Sequence, residues 1–357
     1  MAKKKTVKRP IKVGVLGLGR AGWDIHVGRL RNDDRFQIVA VSDGLEERCK
    51  QAEAEFGCKS YKTFKELIET SKAELIVNAT PSQFHGPLSI AAFKAGKHVL
   101  VEKPCAMDAP ELRKMIAASK KASKKLFCHH NYRFNKEVKH FKDIFESGIL
   151  GEIFEFRMQF NGFGRRNDWQ TLKKNNGGLL NNHGTHHVDY ALYLLDSPIK
   201  DYFCDLKLVA DSGNAEDHMK LVVRLKSGAL IDVEISTSAN VPTRYWHILG
   251  NCGSAHCDGT ETIINYFDPK KAKELPLVLT PPVGRKYGND DKLPWKTKTI
   301  PIKSKTPGDF YDNVYEVIRE RGKMVVTPES VLDLTKLFDA CKKQKIHNVR
   351  PAYGKKK

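Results

Sequence analysis

Along the first 130 residues, short apolar runs alternate with amphipathic stretches. Ile11 to Leu16, Phe36 to Val41, Glu74 to Ala79, His98 to Val101 and Leu126 to His129 read as strands. Ala21 to Arg31, Glu46 to Phe56, Leu88 to Ala95 and Ala109 to Ser123 carry the helical period. Strands that are apolar throughout and separated by helices imply a parallel sheet covered on both faces. The pattern predicts an α/β, doubly wound domain over residues 1–130.

Beyond about residue 150 the rhythm changes. Ile153 to Phe160, Tyr202 to Val209, Leu221 to Leu225, Ile231 to Ser236 and Trp246 to Leu249 follow one another through turn signals such as Lys226-Ser227-Gly228. Few helices are expected between them, so an α+β domain with a mostly antiparallel, open-faced sheet is expected over 131–357. An exposed sheet face of that kind favours a homo-oligomer, a dimer or tetramer. Residues 268–306, rich in Pro and Lys, read as an excursion off the core. Pro328 to Lys345 reads as a helix with its apolar stripe on Val331, Leu334, Leu337 and Phe338, able to pack back on the first domain.

Lys and Arg total 61 against 42 Asp and Glu, a net charge of +19. The lysines are scattered, with runs at both tips and no aromatic-and-basic recognition motif, so a solvated basic surface is expected rather than nucleic-acid binding. No apolar run approaches the roughly 20 residues of a membrane helix. No secretion signal is evident at Met1, so the eight cysteines are expected as free thiols in the cytoplasm. Cys252, His256 and Cys257 lack the second close pair that a structural zinc needs.

Gly17-Leu18-Gly19-Arg20-Ala21-Gly22 fits G-x-G-x-x-G between a strand and a helix, the context of a dinucleotide-binding Rossmann domain. The first glycine permits the turn, the second lets the backbone approach a pyrophosphate, and the third allows close helix packing. Arg20 and Ala21 lie within the same turn. Asp43 ends the second strand, placed to accept from ribose hydroxyls, which favours NAD over NADP; Arg48 softens that preference. Thr80, Pro81 and His85 follow one strand, and Glu102 and Lys103 follow the next. All five are therefore expected at the ligand-bearing edge of the sheet.

The strings ATPSQFH, AGKHVLVEKP and GGLLNNHGTHHVD, in that order, resemble the Gfo/Idh/MocA family, named for glucose–fructose oxidoreductase and inositol dehydrogenase. The resemblance spans nearly the whole chain. It implies a two-domain enzyme that moves hydride between NAD(P) and a carbohydrate carbon. Lys103 matches the lysine of the family's E-K-P motif and His186 its catalytic histidine. Asn182 stands where many members carry aspartate. Asparagine orients a hydroxyl but holds no charge, which alters the proton chemistry without removing the site.

These assignments make His186 the general base, Lys103 the group that stabilises developing negative charge, and Asn182 a substrate-positioning residue. His183 and His186 form an H-x-x-H pair near Asp189, but the glutamate of H-E-x-x-H is missing, and no metal is expected. The run from Asn161 to Trp169 suits a lid, with Arg165 and Trp169 on a polar ligand; the alternative is a surface loop with Trp169 anchored in the core. Asn131 and Arg133, near a strand end, are further substrate candidates. The expected activity is NAD-dependent oxidation of a secondary alcohol of a sugar, glycoside or cyclitol. Two alternatives stand beside it: glycoside cleavage through transient oxidation by bound NAD, and a non-catalytic NAD-binding sensor or scaffold.

Overall fold

Six strands, β1 (Ile11–Leu16), β2 (Phe36–Ser42), β3 (Lys59–Ser60), β4 (Leu75–Asn78), β5 (His98–Val101) and β6 (Leu126–Cys128), make a wholly parallel sheet in a computed structural model that describes residues 9–281, 292–303 and 308–351. Their spatial order is β3-β2-β1-β4-β5-β6. The order reverses between β1 and β4, and the crevice outside the carboxyl ends there is where such sheets bind ligands. All four residues of β4 are buried, as expected of a strand covered on both faces. The five expected strands of this half lie within a residue or so of their expected bounds, and β3 was unanticipated.

The second sheet has nine strands. They are β7 (Ile153–Phe163), β8 (Ile199–Leu208), β9 (His218–Leu225), β10 (Leu230–Ser236), β11 (Ser238–Gly250), β12 (Gly253–Cys257), β13 (Glu261–Tyr266), β14 (Lys296–Pro301) and β15 (Ile346–Asn348). Their order is β14-β13-β12-β11-β7-β10-β9-β8-β15. Most pairs are antiparallel, but β7 and β10 run parallel at the centre, as do β8 and β15 at one edge. Burial alternates along β9 and β10, so one face meets the helices Lys136–Glu146 and Thr185–Leu195 and the other stays open.

Three features depart from the sequence expectation. The excursion at 268–306 returns to the sheet: β14 pairs with β13 along its whole length, and Ile300 packs on the second core. Residues 282–291 and 304–307 of that excursion, and the lysine runs at both tips, lie outside the described residues. The helix Lys136–Glu146 is an unanticipated element whose Val138, Phe141 and Ile144 enter the second core. Finally, the chain returns to the first domain before its end. The helix Phe310–Tyr315, started by Asp309 and Asp312 in a capping box, sends Phe310, Tyr311, Val314 and Tyr315 into the first core. The helix Pro328–Lys342, capped by Thr327, then lies between the cores: Val331 joins the first, and Leu334, Leu337, Phe338 and Cys341 the second.

Candidate active site

The turn after β1 is shaped by its three glycines. Gly17 has φ +84, and a Cβ there would come 2.8 Å from the Ala79 carbonyl oxygen. A Cβ on Gly22 would come 1.9 Å from the Gly17 carbonyl oxygen, so the next helix sits directly on the turn. At Gly19 the nearest atom to an added Cβ is Arg48 Nη1 at 3.8 Å, which leaves the outer side of the turn open to a pyrophosphate. The helix winds as a π-helix over Ala21–Val27 before becoming α-helical at Gly28–Leu30. Arg20 is exposed at its start and Ala21 is partly buried.

The Asp43 carboxylate reaches back to this turn. Its Oδ2 accepts from Leu18 N–H at 2.6 Å and its Oδ1 from Leu45 N–H at 2.9 Å, while Arg48 Nη1 lies 3.4 Å away. A carboxylate fixed at the tip of β2 suits ribose hydroxyls and repels a 2′-phosphate. An open glycine turn beside such a carboxylate fits a dinucleotide.

Not all the residues expected at the cofactor edge present their side chains to it. Thr80 is buried, donating from Oγ1 to Asn78 Oδ1 at 2.7 Å, whereas Pro81 is exposed. His85 is buried beneath the edge, with Nδ1 2.8 Å from the Pro104 carbonyl oxygen and Nε2 2.8 Å from that of Thr80. It ties the two loops together instead of meeting a ligand. Glu102 is turned inward: Oε1 lies 3.0 Å from His26 Nε2 and 2.8 Å from His129 Nδ1. Sequence order alone put these side chains on the edge, and the packing of the loops put them under it.

Lys103 is partly buried and crosses to the second domain. Its Nζ donates to the main-chain oxygen and to Oδ1 of Asn182, each at 3.0 Å, joining positions 79 residues apart. Asn182 lies in a π-helical turn, Leu180–Gly184, that leads into the helix Thr185–Leu195. His186, on the first turn of that helix, is buried, and its ring stacks on Tyr132 with centroids 4.0 Å apart. Its Nδ1 has no hydrogen-bond partner. Burial, and next the charge of Lys103, hold its pKa well below the ordinary value, so the ring is neutral near pH 7. Burial also lowers the pKa of Lys103, and the Glu102 charge opposes that shift. Sequence reasoning did not find Tyr132; the available signal was an aromatic residue between the candidates Asn131 and Arg133.

The remaining candidates divide. Arg133 is buried and committed to structure, donating to both Asp189 oxygens at 2.8 and 2.6 Å, to Val325 O and to Ser330 Oγ. It is a strut between elements, contrary to its expected place in the pocket, because a buried guanidinium must find a carboxylate. Asn131 is partly buried at the start of the same turn. The segment after β7 is fastened by Arg166, which donates to Asp168 and Gln170 and by its main chain to Asp211. Arg165 is exposed there and donates to Ala210 O at 3.4 Å. Trp169 is 48% exposed, which removes the alternative of a core anchor. His183 is exposed while His186 is buried, so the H-x-x-H pair does not converge. Among the described residues the donor cluster that forms is His26, Glu102 and His129.

Comparison with known proteins agrees with this geometry. A model described as an oxidoreductase family with an NAD-binding Rossmann fold matches residues 11–130, and a GFO/IDH/MocA C-terminal domain matches residues 138–256. Myo-inositol 2-dehydrogenase of Thermotoga maritima is 32% identical over 235 residues, covering 64% of this chain and 69% of that one. The 2,7-anhydro-N-acetylneuraminate hydratase of Escherichia coli is 28% identical over 260 residues, covering 71% and 68%. The crystal structure of an NAD-binding protein from Listeria innocua superposes with a TM-score of 0.78 at 25% identity, covering 95% of this chain and 97% of that one.

Proposed function

This chain belongs to the Gfo/Idh/MocA family of NAD-binding oxidoreductases, and from that premise we propose that it oxidises a secondary alcohol of a cyclitol or sugar in the cleft between Lys103 and His186. The observation that carries the proposal is the Lys103–Asn182 contact, which sets an ammonium from the cofactor domain beside a buried, neutral imidazole from the other. The identity with an inositol dehydrogenase supports a cyclitol as the first substrate to try.

Bound NAD supplies the hydride acceptor. An ammonium has three N–H donors, and two of those on Lys103 are taken by Asn182. The third is available for the substrate hydroxyl oxygen, where it stabilises the negative charge that grows as the proton leaves. His186 takes that proton at Nε2, its Nδ1 being buried away from the cleft. The Asn182 side-chain NH2 donates to a neighbouring hydroxyl, and the Tyr132 ring fixes the plane of the imidazole. Arg165 and Trp169 close over the ligand from the loop after β7.

We further place the enzyme in the cytoplasm, supported by eight free thiols, and as a homo-oligomer through the open sheet face, where Phe163 and Phe203 are exposed. Light scattering on the purified protein tests the second point. No helix among the described residues is long and apolar enough to cross a membrane.

The deciding experiment follows the absorbance of reduced nicotinamide with NAD and a panel of inositols, aldoses, sugar acids and nucleotide sugars. A rise with one class, absent in Lys103→Ala, is expected. A flat trace across the panel from protein that demonstrably binds NAD would sink the proposal.

A further inference from the structure

We propose that Glu102, buried between His26 and His129, is a positioning residue that fixes the main chain of Lys103 and supplies the negative charge that keeps its ammonium protonated. The task falls to Glu102 because position 182 is asparagine and carries no charge. This inference rests on the reading of Lys103 as the group that meets the substrate oxygen.

Two hydrogen bonds and one close ionic contact converge on Glu102. Glu102 Oε2 accepts from the Lys103 main-chain N–H at 2.9 Å. Its Oε1 lies 2.8 Å from His129 Nδ1 and 3.0 Å from His26 Nε2. Behind them, the Tyr311 hydroxyl lies 2.8 Å from His26 Nδ1, which fits a tautomer that accepts from tyrosine and carries its proton on Nε2, the nitrogen beside the carboxylate. His26 comes from the helix after the glycine turn, His129 from the end of β6, and Tyr311 from the returning C-terminal segment. Glu102 is 6% exposed and His26 is fully buried, so water does not screen their effect on Lys103.

A buried carboxylate would ordinarily be protonated, but the charge and hydrogen bond of His129, and after them the nearby His26 ring, hold Glu102 well below the usual carboxylate range. The other groups facing it are Tyr311, His85, Cys105 and His186. Those facing Lys103 are Glu102, Arg20, Arg166, His183 and His186, and all except Glu102 are basic.

The test is a titration of Lys103 that needs no substrate. Lysines labelled with carbon-13 at Cε are followed by NMR against pH, and the Lys103 signal is assigned by its loss in Lys103→Ala. In Glu102→Gln the Lys103 pKa is expected to fall by at least about one unit. Adding Asn182→Asp to that variant is expected to restore it. If the dehydrogenase is confirmed, the alkaline limb of its kcat profile moves with the lysine and returns with the double variant. Should Glu102→Gln not fold, Glu102→Asp, which withdraws the carboxylate by one methylene, is expected to move the titration in the same direction by less. An unmoved Lys103 titration in a folded variant overturns the proposal. So does a stoichiometric divalent metal in the purified protein that disappears in His26→Gln, since the trio would then be metal ligands. A failure to find any oxidisable substrate leaves the titration result standing and counts only against the activity.

Discussion

The strands of the six-stranded sheet are largely buried along their length, whereas those of the nine-stranded sheet are buried at alternate positions. The two sheets also do different work. In the proposed site the first presents main chain to its ligand, through a glycine turn whose outer side is open at Gly19. The second presents side chains, Asn182 from a π-helical turn and His186 from the helix that follows it, both packed on its inner face. A turn of backbone tolerates few residue types, and a platform for side chains tolerates many. The first half is therefore specified locally and the second by its partners.

The contrast is broken most severely at Gly22. An alanine there brings a Cβ to 1.9 Å from the Gly17 carbonyl oxygen, a clash with main chain that no rotamer relieves. Overpacking of that kind costs about 1–3 kcal/mol. Because the displaced turn is the proposed pyrophosphate surface, NAD affinity in Gly22→Ala is expected to fall about 100-fold or more by calorimetry. The second sheet, which does not touch the turn, should keep its amide-exchange protection. Unchanged NAD affinity would show that the turn is not the pyrophosphate site.

Arg133→Met removes the strut instead. It leaves Asp189, 1% exposed, without its bidentate partner, and loss of one member of such a pair costs about 3–5 kcal/mol. Urea unfolding should show that loss, and Arg133→Met combined with Asp189→Leu should recover a large part of it. A role in substrate binding would instead raise KM and leave stability untouched, so the two assignments of Arg133 separate cleanly.

What was legible follows the same division. Gly17, Gly19, Gly22 and Asp43 lie within a single strand-helix-strand unit, and each is demanded by local geometry. Lys103 and Asn182 were recognised through resemblance to a family; nothing local says that residues 79 apart share a hydrogen bond. The inward turn of Glu102 was hidden for the same reason, since it depends on Tyr311, which bonds His26 across 285 positions. The strands β12 to β14 escaped because they are short and half exposed, and their burial is decided by β11 beside them.

Asp217 shows how the second domain hides its determinants. It is fully buried beside β9, and its two oxygens accept from the main-chain N–H groups of Val209, Ala210 and Asp211 at 2.6 to 2.7 Å. In sequence it is one acid among many. Asparagine turns an NH2 toward one of those donors, so Asp217→Asn is expected to cost about 1–3 kcal/mol in denaturant unfolding. A neutral result would mean that the turn after β8 holds without it, and that its path is set by the sheet alone.

The finest test concerns Glu216, buried under the motif that carries Asn182. Its Oε1 accepts from Leu180 N–H at 2.9 Å and sits where a Cβ on Gly178 would be 2.3 Å away. Burial pushes its pKa up to about 7, against hydrogen bonds from the backbone and the charges of Lys342 and Lys173. A carboxyl raised in the folded state binds its proton more tightly there than in the unfolded chain. Its contribution is therefore complete below the unfolded value and is lost as pH rises through about 7. Glutamine cannot ionise, so Glu216→Gln should flatten the stability profile over that window. The wild-type melting temperature should fall about 1–2 °C further than the variant's across it, an effect of roughly 1 kcal/mol. No comparable window is expected around Gly17 to Gly22, where shape and not ionisation holds the turn. If the two profiles run parallel, Glu216 is already charged beneath the motif. In that case Lys342 would be its partner, and the floor of the cleft would be an ion pair instead of a neutral acid.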